Sequence, residues 1–149
     1  MKETDLAYVA GIVDGEGYIS IVRNKCKPQT LLSVGVGNTN QWLIEWLHLN
    51  FGGCLSSHEE GGNCKTTWKW IVSSKKASEF LKLILPYLKL KRPQAELALQ
   101  FQSERRWCNK HHPKTDGEKA VEEAQRLLMG QYNKKGISSE GVTDRSMPT

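Results

Sequence analysis

The sequence predicts an α+β fold of order α-β-β-α-β-β-α, with one antiparallel sheet that has helices on one face, followed by an extra C-terminal helix. Two pairs of short segments alternate apolar and polar residues, as half-buried strands do. Segments with helical periodicity precede, separate and follow these pairs. Hairpins separated by helices favour a single sheet that is covered on one side.

The first predicted helix covers about Asp5–Asp14, with Thr4 or Asp5 as its N-cap. Apolar residues surround it almost completely, which is typical of a helix that is buried on more than one side. Small residues recur every four positions along it and would let a second helix approach closely. They are Ala7, Gly11 and Gly15.

The remaining elements follow from alternation, from helical spacing, and from the glycines and prolines that open or close a segment. Gly52 closes the second helix, Pro86 ends the third and Pro93 opens the fourth. The expected strands are Tyr18–Val22, Leu31–Gly37, Cys54–His58 and Lys65–Val72. The expected helices are Asn40–Phe51, one capped by Ser73 or Ser74 that runs to Pro86, Pro93–Trp107 and Glu118–Gln131.

The chain is expected to divide into a core, residues 1–107, and a C-terminal extension, residues 108–149. The helix of the extension is amphipathic, and the Gly/Ser-rich stretch Asn133–Thr149 is expected to be poorly ordered. The apolar residues that should face the core are Val121, Ala124, Leu127 and Leu128. Four tryptophans at core-like spacings are predicted to pack rather than to stack on bases: Trp42, Trp46, Trp68 and Trp70.

The composition predicts a globular chain with a modest positive charge. The 149 residues are 38% hydrophobic and 25% charged, with a net charge of +5. No apolar run is long enough to span a membrane, and the N-terminus lacks a signal-peptide pattern, so we expect neither a membrane protein nor a secreted one. A bacterial cytoplasm and an organelle both remain possible compartments. No nucleotide-binding glycine loop follows a strand, which disfavours a small-molecule enzyme of that class.

Basic residues are clustered in two stretches of the chain. Residues 17–44 contain three basic residues and no acid, and residues 61–92 contain eight basic residues and one acid. Such clusters suit a polyanionic partner, although charge alone fits a solvated basic face equally well.

The segment Val9–Gly17, VAGIVDGEG, is the most distinctive feature of the sequence. It resembles the defining motif of the LAGLIDADG homing endonucleases, with identity at Ala10, Gly11, Asp14 and Gly17 and conservative differences at Val9, Ile12, Val13 and Glu16. The basic segment Leu88–Ala95 is similar to a second landmark of that family, which opens the last core helix. The resemblance covers about residues 5–107. It implies the fold described above, with a saddle-shaped sheet, and the activity of a DNA endonuclease.

The resemblance also implies an active site. Glu16 would be the catalytic carboxylate and a ligand of Mg²⁺, with the Gly15 carbonyl as a second ligand, because carboxylates hold hard cations that activate water and stabilise a leaving oxygen. Lys91 matches a basic residue near the cleaved phosphate, and Asn38 matches a polar residue that orders water. Asp14 is expected to be structural. A further basic position of the family falls at Trp42, where this sequence departs from the pattern; Lys89 or Arg92 could substitute for it.

The outer face of the predicted sheet is expected to lie along double-stranded DNA, because the major groove distinguishes all base pairs. Lys25, Lys27 and Lys65 are expected to contact phosphates, and the polar residues and Lys69 to contact bases or phosphates. Val22 and Gly35 suggest that part of the recognition is by shape, water or the thymine methyl group. The candidate residues are Ser20, Val22, Asn24, Lys25, Lys27, Gln29, Thr30, Ser33, Gly35, Lys65, Thr67 and Lys69.

One motif per chain predicts a homodimer on a long, pseudo-palindromic target. The expected interface residues are Ala7, Ala10, Gly11 and Asp14. The favoured hypothesis is an intron-encoded, Mg²⁺-dependent nuclease. The alternative is a non-cleaving module of the same fold, either a maturase that binds intron RNA or a transcription regulator.

Overall fold

A computed structural model describes residues 1–24, 29–105 and 111–134, which form an α+β fold. The helices are α1 (Glu3–Glu16), α2 (Gln41–Phe51), α3 (Ser74–Ile84), α4 (Arg92–Glu104) and α5 (Asp116–Asn133), with a 3-10 turn at Leu85–Tyr87. The strands are β1 (Gly17–Arg23), β2 (Thr30–Asn38), β3 (Cys54–His58) and β4 (Thr67–Ser73). The predicted fold class, element order and extra helix are confirmed.

Several predicted boundaries shift by a few residues. Helix α1 begins at Glu3, so Asp5 is not its N-cap; instead Asp5 accepts a hydrogen bond from the Lys2 backbone N–H at 3.3 Å. The helix continues through Glu16, and β1 begins at the next residue. Strand β4 begins at Thr67, so Lys65 precedes it. Helix α4 ends at Glu104, and Trp107, the predicted end of that helix, lies outside the described residues.

The four strands form one antiparallel sheet in the order β1-β2-β4-β3. The two hairpins join through β2 and β4, where Val34 pairs with Val72 and Val36 with Trp70. Because side chains alternate across a strand, one face of the sheet is apolar and lies under the helices. Its buried residues are Ile19, Ile21, Leu32, Val34, Val36, Trp70 and Val72.

An aromatic cluster fills one side of the core between the sheet and the helices. The Trp70 ring lies 5.0 Å from the Phe80 ring, and Phe51 lies 4.8 Å from Phe80, both edge-to-face. The Trp70 indole N–H donates to the Gly52 carbonyl at 2.6 Å, which satisfies its buried polar atom. The prediction of a core position is therefore right for Trp70, but it is wrong for Trp42, whose side chain is 66% exposed.

The carboxylate of Asp14 joins the end of α1 to the start of α4. It accepts hydrogen bonds from the backbone N–H groups of Lys89 and Lys91, both at 2.9 Å. In return the Lys91 ammonium donates to the Asp14 carbonyl at 2.7 Å. Lys91 is the N-cap of α4, so this joint fixes one helix end against the other. The structural role expected for Asp14 agrees with these contacts.

Helix α5 packs against β1 and α4 with a different face from the one expected. Gln125 and Met129 are buried. The four residues predicted to face the core are exposed: Val121, Ala124, Leu127 and Leu128. The apolar pattern identified the helix but not its orientation, because polar contacts hold its inward side.

One of those polar contacts is an ion-pair triad. Glu123 pairs with Arg23 at 2.9 Å and with Arg126 at 2.6 Å, linking α5 to the end of β1. Hydrogen bonds from Arg126 and Arg23 lower the pKa of Glu123 to about 2.

Among the described residues, none of the helices is both long enough and apolar enough to cross a bilayer.

We predict that Asp14→Asn destabilises the fold. The amide has one acceptor oxygen where the carboxylate has two, so one of the two backbone N–H groups loses its partner, at a cost of about 1.5–3 kcal/mol. The melting temperature should fall by about 5 °C in thermal unfolding monitored by circular dichroism. Glu60→Gln, which neutralises an exposed acid in the β3–β4 loop, is the control. Melting of Asp14→Asn at the wild-type temperature would contradict the joint.

We predict that the contribution of Glu123 to stability depends on pH. Because its pKa is lowered from 4.5 to about 2 in the folded chain, the carboxylate stabilises the fold above pH 4.5 and loses that effect as the pH falls through about 2. Wild type should therefore be more stable than Glu123→Gln near neutral pH, and the two should converge in strong acid. Denaturant titrations across this range measure the difference, and a difference that does not change with pH would refute the assignment.

Candidate active site and DNA-facing surface

Glu16 and Asn38 meet at the C-terminal end of α1. The Asn38 side-chain N–H donates to a carboxylate oxygen of the exposed Glu16. The Asn38 side-chain oxygen accepts the Asn40 backbone N–H at 2.8 Å. Because a backbone N–H can only donate, it fixes which end of the Asn38 amide faces Glu16. The structure thus brings together two of the three predicted catalytic residues.

The sheet register explains this meeting. Glu16 ends α1, and the next residue, Gly17, pairs with Val36 in β2. Asn38 lies two residues beyond Val36, at the end of the same strand. A Cβ atom on Gly17 would lie 2.8 Å from the Val13 Cα and 3.2 Å from the Gly35 carbonyl. The final glycine of the motif is therefore required by close packing where the helix turns into the strand.

Lys91 completes the group of predicted catalytic residues. Its ammonium is anchored on the Asp14 carbonyl, at the C-terminal end of α1 where a cation is favoured by the helix dipole. The positive charge of Lys91 therefore lies beside the carbonyl of Asp14, which is two residues before Glu16 in the chain. Arg92, suggested as a substitute for the missing basic residue, instead pairs with Glu96 at 3.2 Å on its own helix.

The end of α1 offers oxygen ligands but not a complete metal site. In the last turn the Val13 carbonyl accepts the Gly17 N–H and the Asp14 carbonyl accepts Lys91, which leaves the Gly15 carbonyl next to Glu16 at the helix end. Within residues 1–24, 29–105 and 111–134, no three His, Cys, Asp or Glu side chains are grouped as metal ligands. A carboxylate and a carbonyl are ligands that suit a hard cation.

The outer face of α1 carries the stripe of small residues. Ala7, Gly11 and Gly15 are exposed, and a Cβ atom added at either glycine would meet nothing within 4 Å. The prediction that Ala10 belongs to an interface is wrong, because Ala10 is 0% exposed and packs into the core. It lies about 100° around the helix from Gly11, on the side that faces the core.

The outer face of the sheet is open, but two of the predicted DNA contacts are not accessible on it: Thr30 faces inward, and Gly35 is covered. Thr30 is only 7% exposed, and its hydroxyl donates to Glu122 at 2.9 Å, so its assignment to the DNA-facing surface is wrong. Thr30 shares the inward alternation of Leu32 and Val34, which the sequence already displayed. Gly35 points outward but is buried beneath Tyr18; a Cβ atom there would lie 2.5 Å from the Tyr18 ring.

The other predicted contacts vary in accessibility. Val22, Lys65 and Lys69 are exposed, and Ser20, Asn24, Gln29, Ser33 and Thr67 are half-buried. Lys25 and Lys27 lie outside the described residues.

Sequence reasoning missed several side chains on this face. Tyr18 pairs with Gly35 and its hydroxyl lies 3.5 Å from that of Ser33. In β3, Ser56 pairs with Lys69 and His58 with Thr67, which places both on the outer face. The alternation of β3 could have assigned these residues, but only a known register shows which of its two faces is outward.

Solved structures provide the comparison for this chain. No protein-family model matches the sequence, and no curated protein matches it. The homing endonuclease I-CvuI, in complex with the I-CreI target in the presence of Mg and with the DNA not cleaved, has a TM-score of 0.67 and 25% identity over 91% of this chain and 85% of that chain. The same enzyme with its own target and Ca has a TM-score of 0.65 and 27% identity over 94% and 90%.

Two further structures extend the similarity of fold. The archaeal intron-encoded homing endonuclease I-Vdi141I, complexed with DNA, has a TM-score of 0.68 and 17% identity over 92% of this chain and 89% of that chain. The LAGLIDADG homing endonuclease I-GzeII, in complex with a DNA target, has a TM-score of 0.61 and 19% identity, and 94% of this chain covers 48% of that one. The chain therefore has the LAGLIDADG homing endonuclease fold, and the solved structures that it resembles over most of its length are members of that family.

Proposed function

We propose that this protein is a site-specific homing endonuclease, which as a homodimer makes a metal-dependent double-strand break in a long, pseudo-palindromic DNA target. The observation that carries the proposal is the contact between Glu16 and Asn38 at the end of α1, beside the anchored Lys91. A carboxylate, an amide and an ammonium group therefore lie at the same helix end. Several solved structures with this fold are bound to DNA.

Glu16 is proposed to bind Mg²⁺ with the Gly15 carbonyl. The donors at this helix end are oxygens, which suit a hard divalent cation. When bound, the cation would supply an activated water and stabilise the leaving oxygen of the cleaved phosphodiester. The neighbouring structures determined with Mg or Ca and DNA support this choice of metal.

Asn38 and Lys91 are proposed to prepare the site for the phosphate. The Asn38 amide, itself held by the Asn40 N–H, keeps the Glu16 carboxylate in one orientation. Its polar group also lies where it can order water. Lys91 adds a fixed positive charge that would stabilise negative charge developing on the phosphate. Its anchor on the Asp14 carbonyl limits the movement of that charge.

The dimer is proposed to form by pairing of two α1 helices. The stripe of Ala7, Gly11 and Gly15 lets two backbones approach, and pairing would bring two Glu16 carboxylates together. Repulsion between the carboxylates would be relieved by cations shared between them. This chain aligns with about half of the I-GzeII chain, which also fits a working unit twice as long as this chain. Asp14 lies at one end of this interface, while its carboxylate is bound within its own chain.

The outer face of the sheet is proposed to read the DNA. Val22, Lys69 and the half-buried polar residues of β1, β2 and β4 would contact bases or phosphates, and the missed residues Tyr18, Ser56 and His58 join them. Lys25, Lys27 and Lys65 would contact phosphates, which position the protein rather than specify the sequence.

We predict that Glu16→Gln binds DNA but does not cut it. The target is first selected from a library of randomised double-stranded DNA with Mg²⁺. Loss of the carboxylate charge should then reduce cleavage at least about a hundredfold, whereas affinity in Ca²⁺ should change little. The control is Glu45→Gln, an exposed acid on α2 that contacts Gln41.

Two outcomes of this experiment would contradict the proposal. Robust cleavage by Glu16→Gln would remove Glu16 from the catalytic role. A wild-type protein that selects a DNA site but never cuts it would instead support the non-cleaving alternative, and the same assay with intron RNA would distinguish a maturase from a transcription regulator.

We predict that Gly11→Leu separates the dimer without unfolding the chain. A Cβ atom at Gly11 meets nothing in its own chain, so the bulky side chain should obstruct only a second helix. Sedimentation should show a monomer, and double-strand cleavage should be lost. Gly130→Leu is the matched control, because Gly130 is an open glycine on α5. A variant at Gly11 that stays dimeric and active would refute helix pairing.

A further inference from the structure

The β1–β2 hairpin extends beyond the rest of the sheet. Strand β2 pairs with β4 only from Ser33 to Asn38. Its first residues pair with the last residues of β1, with Thr30 opposite Arg23 and Leu32 opposite Ile21. In the part of the chain that the structure describes, this distal part of the hairpin has no strand partner on the β4 side. A two-stranded hairpin is marginally stable by itself, so its position depends on what packs behind it.

Helix α5 contacts this hairpin at three points. Glu122 accepts a hydrogen bond from the Thr30 hydroxyl at 2.9 Å, and Glu123 pairs with Arg23 at 2.9 Å. Near the other end of the helix, the Asn133 side-chain N–H donates to the Ile19 carbonyl at 2.8 Å. From Glu122 to Asn133 the helix rises about 16 Å. Helix α5 therefore runs alongside most of the length of strand β1.

The contact is polar, and part of it is costly to bury. The Glu122 carboxylate accepts from the Lys114 ammonium as well as from Thr30, and the side chains of Lys114 and Glu122 are only 7% and 13% exposed. A buried ion pair adds little net stability, because desolvation offsets the attraction between the charges. Such a pair does favour one arrangement over others, since a shifted hairpin would leave a buried charge without its full set of partners.

We infer that α5 is a brace that positions the distal β1–β2 hairpin for DNA recognition, with Glu123 and Asn133 as positioning residues. The inference rests on the proposed function, in which the outer face of this hairpin reads DNA. Val22 lies on that outer face, between residues that α5 holds from behind. The exposed apolar side of α5 does not take part in the brace.

The brace should act on a defined part of the target. Arg23, the last residue of β1, lies seven residues after Glu16 in the chain. This corresponds to about 23 Å along an extended strand. At 3.4 Å for each base pair, the distal hairpin would lie about seven base pairs from the cleaved phosphates. Loss of the brace should therefore relax discrimination at outer base pairs and spare the pairs near the cut.

The test is the double variant Glu123→Gln/Asn133→Ala. Both side chains lie on α5, so no predicted DNA contact is altered. The matched control is Asp116→Asn/Gln131→Ala, which removes the same charge and a similar amide from exposed positions of the same helix. Because both double variants raise the net charge by one, non-specific attraction to DNA changes equally in the two.

Hydrogen exchange of the free protein tests the brace without DNA. In the double variant, amides of Ile21–Val22 and Leu31–Leu32 should exchange a few-fold faster than in the control, while the amides of the β2–β4 pairing should not change. Equal exchange in the two variants would overturn the brace, whatever the protein does to DNA. Faster exchange throughout the chain would also overturn it, because it would indicate only a general loss of stability.

The second arm measures binding and cleavage of the selected target and of its single base-pair variants. A wrong base pair in a specific site costs about 1–3 kcal/mol, so discrimination at the outer pairs should fall by about tenfold in the double variant. The loss should appear in affinity rather than in the maximal cleavage rate. Unchanged discrimination despite faster exchange would overturn the recognition role. A wild-type protein that selects no DNA site at all would refute the proposed function and the recognition role together, leaving the exchange result to decide whether the brace exists.

Discussion

The joint between Asp14 and the N-terminal end of α4 determines the geometry of the whole active site. A carboxylate that accepts two backbone N–H groups is held in both direction and distance, and charge-assisted hydrogen bonds are about twice as strong as neutral ones. Once the end of α1 is fixed, the position of Glu16 follows, because β1 starts at the next residue and pairs at once with β2. Lys91 belongs to the same joint, so the acid and the cation of the site cannot move independently.

Much of this arrangement could be predicted from the sequence because it is local. Alternation and helical spacing identified each element, the motif pointed to Glu16 and Asp14, and the basic segment Leu88–Ala95 pointed to Lys91. The contact between Asn38 and Glu16 joins residues 22 positions apart. The resemblance implied only that both residues belong to the active site, and the contact itself was not predicted, since no local pattern shows where a strand end meets a helix end.

The errors share a physical cause, which is that periodicity does not say what a face packs against. Ala10 and Gly11 are adjacent small residues, yet one is in the core and the other is open. Helix α5 shows the same difficulty, since its buried Met129 lies among polar residues that bind the hairpin and α4. For Thr30 the alternation with Leu32 was sufficient, and the error came from weighting its polar side chain above its register.

The packing of Tyr18 on Gly35 limits how the specificity of this surface can be re-engineered. The two residues face each other across the hairpin, and the ring occupies the space where any side chain at position 35 would begin. A library that varies position 35 alone would therefore displace the ring in every member, and each new base preference would be confounded with a moved tyrosine. Positions 18 and 35 behave as a single unit of recognition, so a designer has to vary them together, with a smaller residue at 18 wherever a larger one is placed at 35.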